Sequence, residues 1–128
     1  MKRRLLLVDD EIALLETMQE LLTDDSLIVE TAASGARALE MLMDGDYDCV
    51  VSDVKMPQMD GFSLIKKTRE MEINVPFIFY SGHACEKLAL RAQELGAMGI
   101  VTKPGFAELE ERIQAAFRIE ERVFELLA

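Results

Sequence analysis

The sequence predicts an α/β fold: three layers, α/β/α, with helices covering both faces of a five-stranded parallel sheet, doubly wound in the order 2-1-3-4-5. Three observations carry this. Five short apolar runs alternate with stretches of helical periodicity along the chain. No fixed-period repeat or low-complexity tract interrupts the alternation. The length, 128 residues, suits one domain with a core of its own, so a single unit over 1–128 is expected.

The first run, Leu5-Leu6-Leu7-Val8, is continuously apolar, as a strand buried on both faces must be. After Asp9-Asp10-Glu11, residues Ile12, Leu15, Met18, Leu21 and Leu22 recur at helical spacing. Leu27 to Thr31 reads as the second strand. Ser34 is a natural N-cap for a helix carrying Ala36, Leu39 and Met43, closed near Gly45. Cys49-Val50-Val51 is the third strand and stops at Ser52-Asp53. The stretch Val54 to Gly61 is a loop, with Pro57 and Gly61 as breakers. A helix over Phe62 to Met71 follows. The fourth strand spans Val75 to Tyr80, where Pro76 is tolerable near the start. A helix over Ala84 to Leu95 ends at Gly96, the fifth strand spans Met98 to Thr102, and a long last helix runs from Phe106 onward. Crossovers in such a sheet are right-handed. Ligands bind outside the carboxyl ends of the strands, near the switch point between the first and third.

Composition narrows the function classes. There are 14 Lys and Arg against 24 Asp and Glu, a formal net charge of −10. With a sequence pI near 4.5, the domain's bulk charge opposes nucleic-acid binding. No apolar run approaches the ~18 residues of a membrane span. Met-Lys-Arg-Arg opens the chain, but Leu5 to Val8 is shorter than the apolar core of an export signal, about 7–15 residues. Cys49 and Cys85 form no CxxC pair. A reduced, cytoplasmic protein is therefore expected.

The polar residues that end the strands form one set. Asp9 and Asp10 follow the first strand, Asp53 the third, Ser81 the fourth and Lys103 the fifth, so the fold gathers them on one rim. Each alone has a plain structural reading: a capping acid, a loop acid, a turn former, a solvated lysine. Their joint placement at successive strand ends is the signal. Carboxylates gathered in one pocket repel unless a cation intervenes, and a hard divalent ion such as Mg²⁺ suits oxygen ligands with a phosphate. Lys103 would supply a compact positive charge to a phosphoryl group and Ser81 a hydrogen bond, while Gly82 leaves room for approach. These parts suit phosphoryl transfer to a carboxylate.

With those residues in view, the sequence resembles the receiver domain of bacterial two-component response regulators over nearly its whole length. The matching stretches are Leu6-Leu7-Val8-Asp9-Asp10-Glu11, Asp53-Val54-Lys55-Met56-Pro57-Gln58-Met59-Asp60-Gly61, Ser81-Gly82-His83, Gly96-Ala97 and Lys103-Pro104. The flavodoxin-like order 2-1-3-4-5 is also the order that this resemblance implies. The resemblance implies that Asp53 accepts a phosphoryl group from a histidine kinase or phosphotransfer protein. It implies direct Mg²⁺ (or Mn²⁺) ligation by Asp10, Asp53 and the backbone carbonyl of Lys55, with Asp9 acting through water. Ser81 and Lys103 would hold phosphoryl oxygens, and the Lys103-Pro104 bond would be cis. Such a chain catalyses only its own phosphorylation and dephosphorylation. Haloacid-dehalogenase phosphatases also use an Asp nucleophile, but they need a second Asp two residues later, where this chain has Lys55, and their nucleophile follows the first strand.

Departures from the family pattern are local. Ile100 stands where Tyr or Phe usually lies three residues before the strand-end lysine, and Gly99 replaces a commonly acidic neighbour. Output is therefore expected through the loop after the fourth strand and the fourth helix. Tyr80 is a candidate substitute ring, but strand alternation points it away from Ser81, under a helix. Lys55 and His83, each two residues beyond a site residue, are expected to tune the lifetime of the phosphorylated state. In the last helix, Phe106, Leu109, Ile113, Ala116, Val123 and Leu127 repeat at helical spacing, broken by Glu120. If continuous to Ala128 it spans about 33 Å. Its extra apolar turn, Val123 to Leu127, has four readings: a homodimer seed, a partner contact, the start of a linker to an output domain, or a segment folded back on the domain's own helices. The alternative to a phosphorylated switch is a phosphorylation-independent interaction module of the same fold. A receiver cut from a larger transcription regulator or hybrid kinase would keep the same site with a different output.

Overall fold

The computed structural model describes residues 2–127, with position 120 described by its backbone alone. Five strands, β1 (Arg3–Val8), β2 (Leu27–Ala32), β3 (Cys49–Ser52), β4 (Phe77–Ser81) and β5 (Ile100–Thr102), alternate with five helices. The helices are α1 (Ile12–Leu22), α2 (Gly35–Asp44), α3 (Gly61–Glu70), α4 (Glu86–Glu94) and α5 (Phe106–Leu127). The sheet is parallel throughout, in the order β2-β1-β3-β4-β5, as the sequence predicts.

Strand alternation sorts the core into two halves. Leu5, Leu7, Cys49, Val51, Ile78 and Tyr80 face α1 and α5, where Leu15, Met18, Leu109, Ile113 and Phe117 meet them. Leu6, Val8, Val50, Phe77 and Phe79 face α2, α3 and α4, where Ala38, Leu42, Leu64, Ile65 and Ala92 meet them. That arrangement is the three-layer α/β/α sandwich.

Several local expectations shift. β4 starts at Phe77 rather than Val75: Pro76 has no N–H for the ladder, although its carbonyl accepts from the Val50 N–H at 2.9 Å. β5 starts at Ile100 rather than Met98 because Gly99 has φ +135°, which breaks the extended chain. The Arg112 guanidinium occupies the space where a side chain at Gly99 would lie, 2.3 Å from an ideal β-carbon. α4 is shorter than expected, beginning at Glu86 after Cys85. α2 is capped by Ser34, whose side chain accepts from the Arg37 N–H, and closes at Gly45 as expected. Its buried face, however, is Gly35, Ala38 and Leu42, while Ala36 and Met43 point outward. On α1, Leu15, Met18 and Leu22 are buried, whereas Ile12 and Leu21 are exposed.

The 22 residues of α5 divide in two. Leu109, Ile113, Ala116 and Phe117 are buried. Beyond them, Val123, Phe124, Leu126 and Leu127 are 50–85% exposed, so the last turns do not fold back onto the domain. Arg3 ties this part of the helix to the sheet: its guanidinium lies over the Phe117 ring and pairs with Glu121. The expectation that the helix reaches Ala128 falls on a position outside the described residues.

Candidate functional site

The parallel register brings the strand ends to one level. Val8 pairs with Ser52 across β1 and β3, and Ser81 with Thr102 across β4 and β5. The ladder continues one residue further: the Asp53 N–H donates to Val8 O at 2.9 Å, and the Lys103 N–H to Ser81 O at 2.9 Å. The Asp9 N–H donates to Ala32 O at 3.2 Å. Backbone pairing therefore fixes where Asp9, Asp53 and Lys103 leave the sheet, with the two acids at the switch point between β1 and β3 where strand order reverses.

At this rim, carboxylate oxygens of Asp9, Asp10 and Asp53 all lie within 4.8 Å of one another. Asp9 and Asp53 are buried, 5% and 9% exposed, and Asp10 is exposed. The Lys103 ammonium lies between the two buried acids, 2.8 Å from Asp9 Oδ2 and 3.3 Å from Asp53 Oδ2. Each of these acids commits its other oxygen to backbone: Asp9 Oδ1 accepts from the Glu11 N–H at 2.9 Å, and Asp53 Oδ1 from the Val54 N–H at 2.8 Å. These bonds orient both carboxylates toward the lysine. A capping role for Asp10 is not what the structure shows, since Glu11 holds the N-cap of α1 and makes no side-chain cap bond.

Lys103 is not a solvated surface charge; its side chain is 17% exposed. Burial pushes its pKa down, but the hydrogen bond to Asp9 and the charges of Asp9 and Asp53 outweigh that, and the net shift is upward. The pairing therefore favours the lysine's charged form. An oxygen-only set of three acids fits a hard divalent cation.

The other expected residues follow the strand ends or lie near them in sequence. Ser81, 1% exposed, is next to Lys103 through the ladder, and its Oγ accepts from the His83 N–H at 3.2 Å. Gly82, Lys55 and His83 are exposed. A β-carbon at Gly82 would meet nothing within 4 Å, so that edge is open. The Lys103-Pro104 peptide is cis. Ile100 is partly buried on the α2–α3–α4 side.

Sequence reasoning missed two contributors. Gly61 read as a loop breaker and as the end of a family-matching stretch, with no role of its own, yet an ideal β-carbon there would lie 2.2 Å from the Asp53 carbonyl oxygen. Its absent side chain lets α3 start directly against the residue that carries the site carboxylate. The signals available were its place in that stretch and its position, a glycine at the start of a helix rather than past its end. Tyr80 does pack under α1 and α5 as alternation implies, but its ring centroid is also 5.8 Å from Lys103 Nζ. Nothing in the local sequence announces that contact.

Comparison with known proteins agrees with this geometry. Residues 5–114 match the family described as the response regulator receiver domain. The transcriptional regulatory protein DltR of Streptococcus agalactiae is 36% identical over 116 residues, covering 90% of this chain and 52% of that protein. The chain thus spans about half the length, or less, of the curated relatives it matches, down to 22% for GlrR of Escherichia coli. Among solved structures, the non-phosphorylated HemR receiver domain of Leptospira biflexa superposes with a TM-score of 0.82 at 33% identity, covering 91% of this chain and 94% of that one. The response regulator TrrA of Thermotoga maritima, solved with Mg²⁺ and beryllium fluoride, gives 0.79 at 28% identity, covering 89% and 98%. By sequence, by strand order and by the acid–lysine cluster at the strand ends, this chain belongs to the response regulator receiver domain family.

Proposed function

We propose that residues 1–128 form one receiver unit, a divalent-cation-dependent switch phosphorylated on Asp53. The observation that carries this is the Lys103 ammonium bridging Asp9 and Asp53 at the switch point of the sheet. Asp10, Asp53 and the Lys55 carbonyl would hold Mg²⁺, or Mn²⁺, with Asp9 acting through water. The ion, when bound, neutralises charge on the transferring phosphoryl group. An Asp53 carboxylate oxygen attacks the phosphorus of a phosphohistidine. The P–N bond breaks, and its electron pair leaves with the imidazole, which takes up a proton. Lys103 and the Ser81 hydroxyl then contact phosphoryl oxygens. In dephosphorylation water attacks the phosphorus, the bond between phosphorus and the Asp53 oxygen breaks, and inorganic phosphate leaves as the carboxylate is regenerated. Lys55 and His83, exposed beside the pocket, set how readily that water reaches it.

The phosphodonor partner is a histidine kinase or phosphotransfer protein, and the setting is cytoplasmic; no described helix is long and apolar enough to cross a membrane. Relatives about twice this length suggest an output domain joined to the receiver, and the exposed end of α5 is the surface for such a domain or for a second copy. Any nucleic-acid contact belongs to that other domain. Beryllofluoride with Mg²⁺, and a small phosphodonor such as acetyl phosphate followed by intact mass, test the switch. Both adducts are expected in the wild type and absent in Asp53→Ala. A wild type that forms neither leaves the interaction module that works without phosphorylation, the reading that Ile100 favours.

A further inference from the structure

Tyr80 is 5% exposed, fixed in the core among residues of α1 and α5, and shares the wall of a small cavity with Asp9 and Asp53. Its ring centroid is 5.8 Å from Lys103 Nζ, within the range of cation–π attraction. The ammonium therefore has three neighbours of different kinds: two carboxylates, at 2.8 and 3.3 Å, and one aromatic face. On the proposed function, the two carboxylates are the groups that must turn to a cation and a phosphoryl group. The lysine's hold on both charged anchors then loosens before phosphoryl oxygens take their place. Its four-carbon stem is flexible and has several rotamers to wander among. The ring does not compete for cation or phosphate. It is also carried by β4, the strand whose end pairs with the end of β5 that precedes Lys103.

We propose that Tyr80 is a positioning residue for Lys103, the face of its ring holding the ammonium at the pocket when the carboxylates engage other partners. The role rests on the phosphorylation of Asp53 proposed above. An aliphatic residue at this position can fill the core but offers no quadrupole to a cation.

The test uses the full chain, Mg²⁺ and acetyl phosphate. Tyr80→Leu is expected to slow phosphorylation about five- to tenfold, the size of one partly desolvated cation–π contact. Tyr80→Phe, which keeps the ring, restores the rate to within about twofold. In a Lys103→Ala background, Tyr80→Leu should cause no further loss. NMR gives a reading independent of rate. The Lys103 ε-methylene protons should be shifted upfield in wild type and Tyr80→Phe, and not in Tyr80→Leu. Equal losses in the Phe and Leu variants, a Leu loss that persists without Lys103, or a missing upfield shift in wild type would each overturn the role. A wild type that takes no phosphoryl group overturns the parent function and this role with it. A wild type that is phosphorylated at a rate indifferent to residue 80 overturns the role alone.

Discussion

Gly61→Ala sets two physical effects against each other at the site. Helix propensity alone favours the change: alanine exceeds glycine by about 1 kcal/mol inside a helix, and Gly61 is the first residue of α3. Its φ is not in the left-handed region, so no conformational penalty opposes alanine. Space does. The new β-carbon would stand 2.2 Å from the Asp53 carbonyl oxygen and 2.9 Å from Phe79 Cε1. Relief requires roughly 1 Å of movement, because nonbonded carbon and oxygen need more than about 3 Å. Neither neighbour yields easily. Phe79 is fully buried, and the Asp53 backbone is tied to Val8 through its N–H and to the Ser52 hydroxyl through its carbonyl. Overpacking of this kind costs about 1–3 kcal/mol, so a net loss of up to about 2 kcal/mol is expected against the propensity gain. If Asp53 is the part that moves, its carboxylate shifts relative to Lys103, and misplacement near 1 Å lowers a reaction rate by about 100-fold. Urea unfolding followed by circular dichroism reads the first effect, and acetyl phosphate labelling the second. A variant with an unchanged or higher urea midpoint and an unchanged labelling rate would refute the steric reasoning.

Four further outcomes are expected. Gly99→Ala should lose about 1–3 kcal/mol in urea unfolding, because φ +135° is strained for any residue with a β-carbon and Arg112 fills the space beside it. The Tyr47 phenol is pushed up to about 12 by burial and by its hydrogen bond to Glu30, so folding favours its neutral form. That contribution is whole below about pH 10 and is lost as pH rises toward 12; Tyr47→Phe should flatten this alkaline limb in thermal melts. Along α5, Leu109→Ala should cost about 2–5 kcal/mol, while Val123→Ser, Phe124→Ser and Leu126→Ser each cost under about 0.5 kcal/mol in the isolated chain. Lys103→Ala should lower the melting temperature without metal, because two buried carboxylates lose their partner, and Mg²⁺ should recover more of that loss than it adds to wild type. Equal Mg²⁺ shifts in both proteins would contradict the pairing.

The architecture was legible because its signals are local and repeated. Each strand is a short apolar run, each stops at a polar residue, and parallel register carries those stops to one rim. Asp9, Asp53 and Lys103 were therefore readable as a set even though Lys103 pairs with Asp9 across 94 positions of sequence. What failed was what depends on neighbours. In α2, apolar residues at Ala36, Ala38, Leu39, Met41, Leu42 and Met43 occupy nearly every direction around the helix. Periodicity cannot choose among them, and packing on the sheet selected Ala38 and Leu42. The starts of β4 and β5 depend on Pro76 and Gly99, whose effects on pairing emerge only beside the adjacent strand. Gly61 and Tyr80 matter through atoms brought close by the tertiary fold, the Asp53 carbonyl and the Lys103 ammonium.

The bridging lysine also explains how such a pocket can exist before any phosphoryl group arrives. Two nearly buried carboxylates in close contact would be costly if uncompensated. Here each has a backbone N–H on one oxygen and shares one ammonium on the other, so neither is left without a partner. That arrangement settles where negative charge can be added. On the proposed function, a divalent cation would replace the lysine's neutralising effect on the acids, and the released ammonium would then be free to meet the charge that a phosphoryl group brings. One positive charge would then serve both states, provided its tether keeps it at the rim during the exchange. β5 supplies the tether's base, through the Lys103 N–H bonded to Ser81 at the end of β4. The preceding residue of β4, Tyr80, presents its ring to the other end of the same side chain.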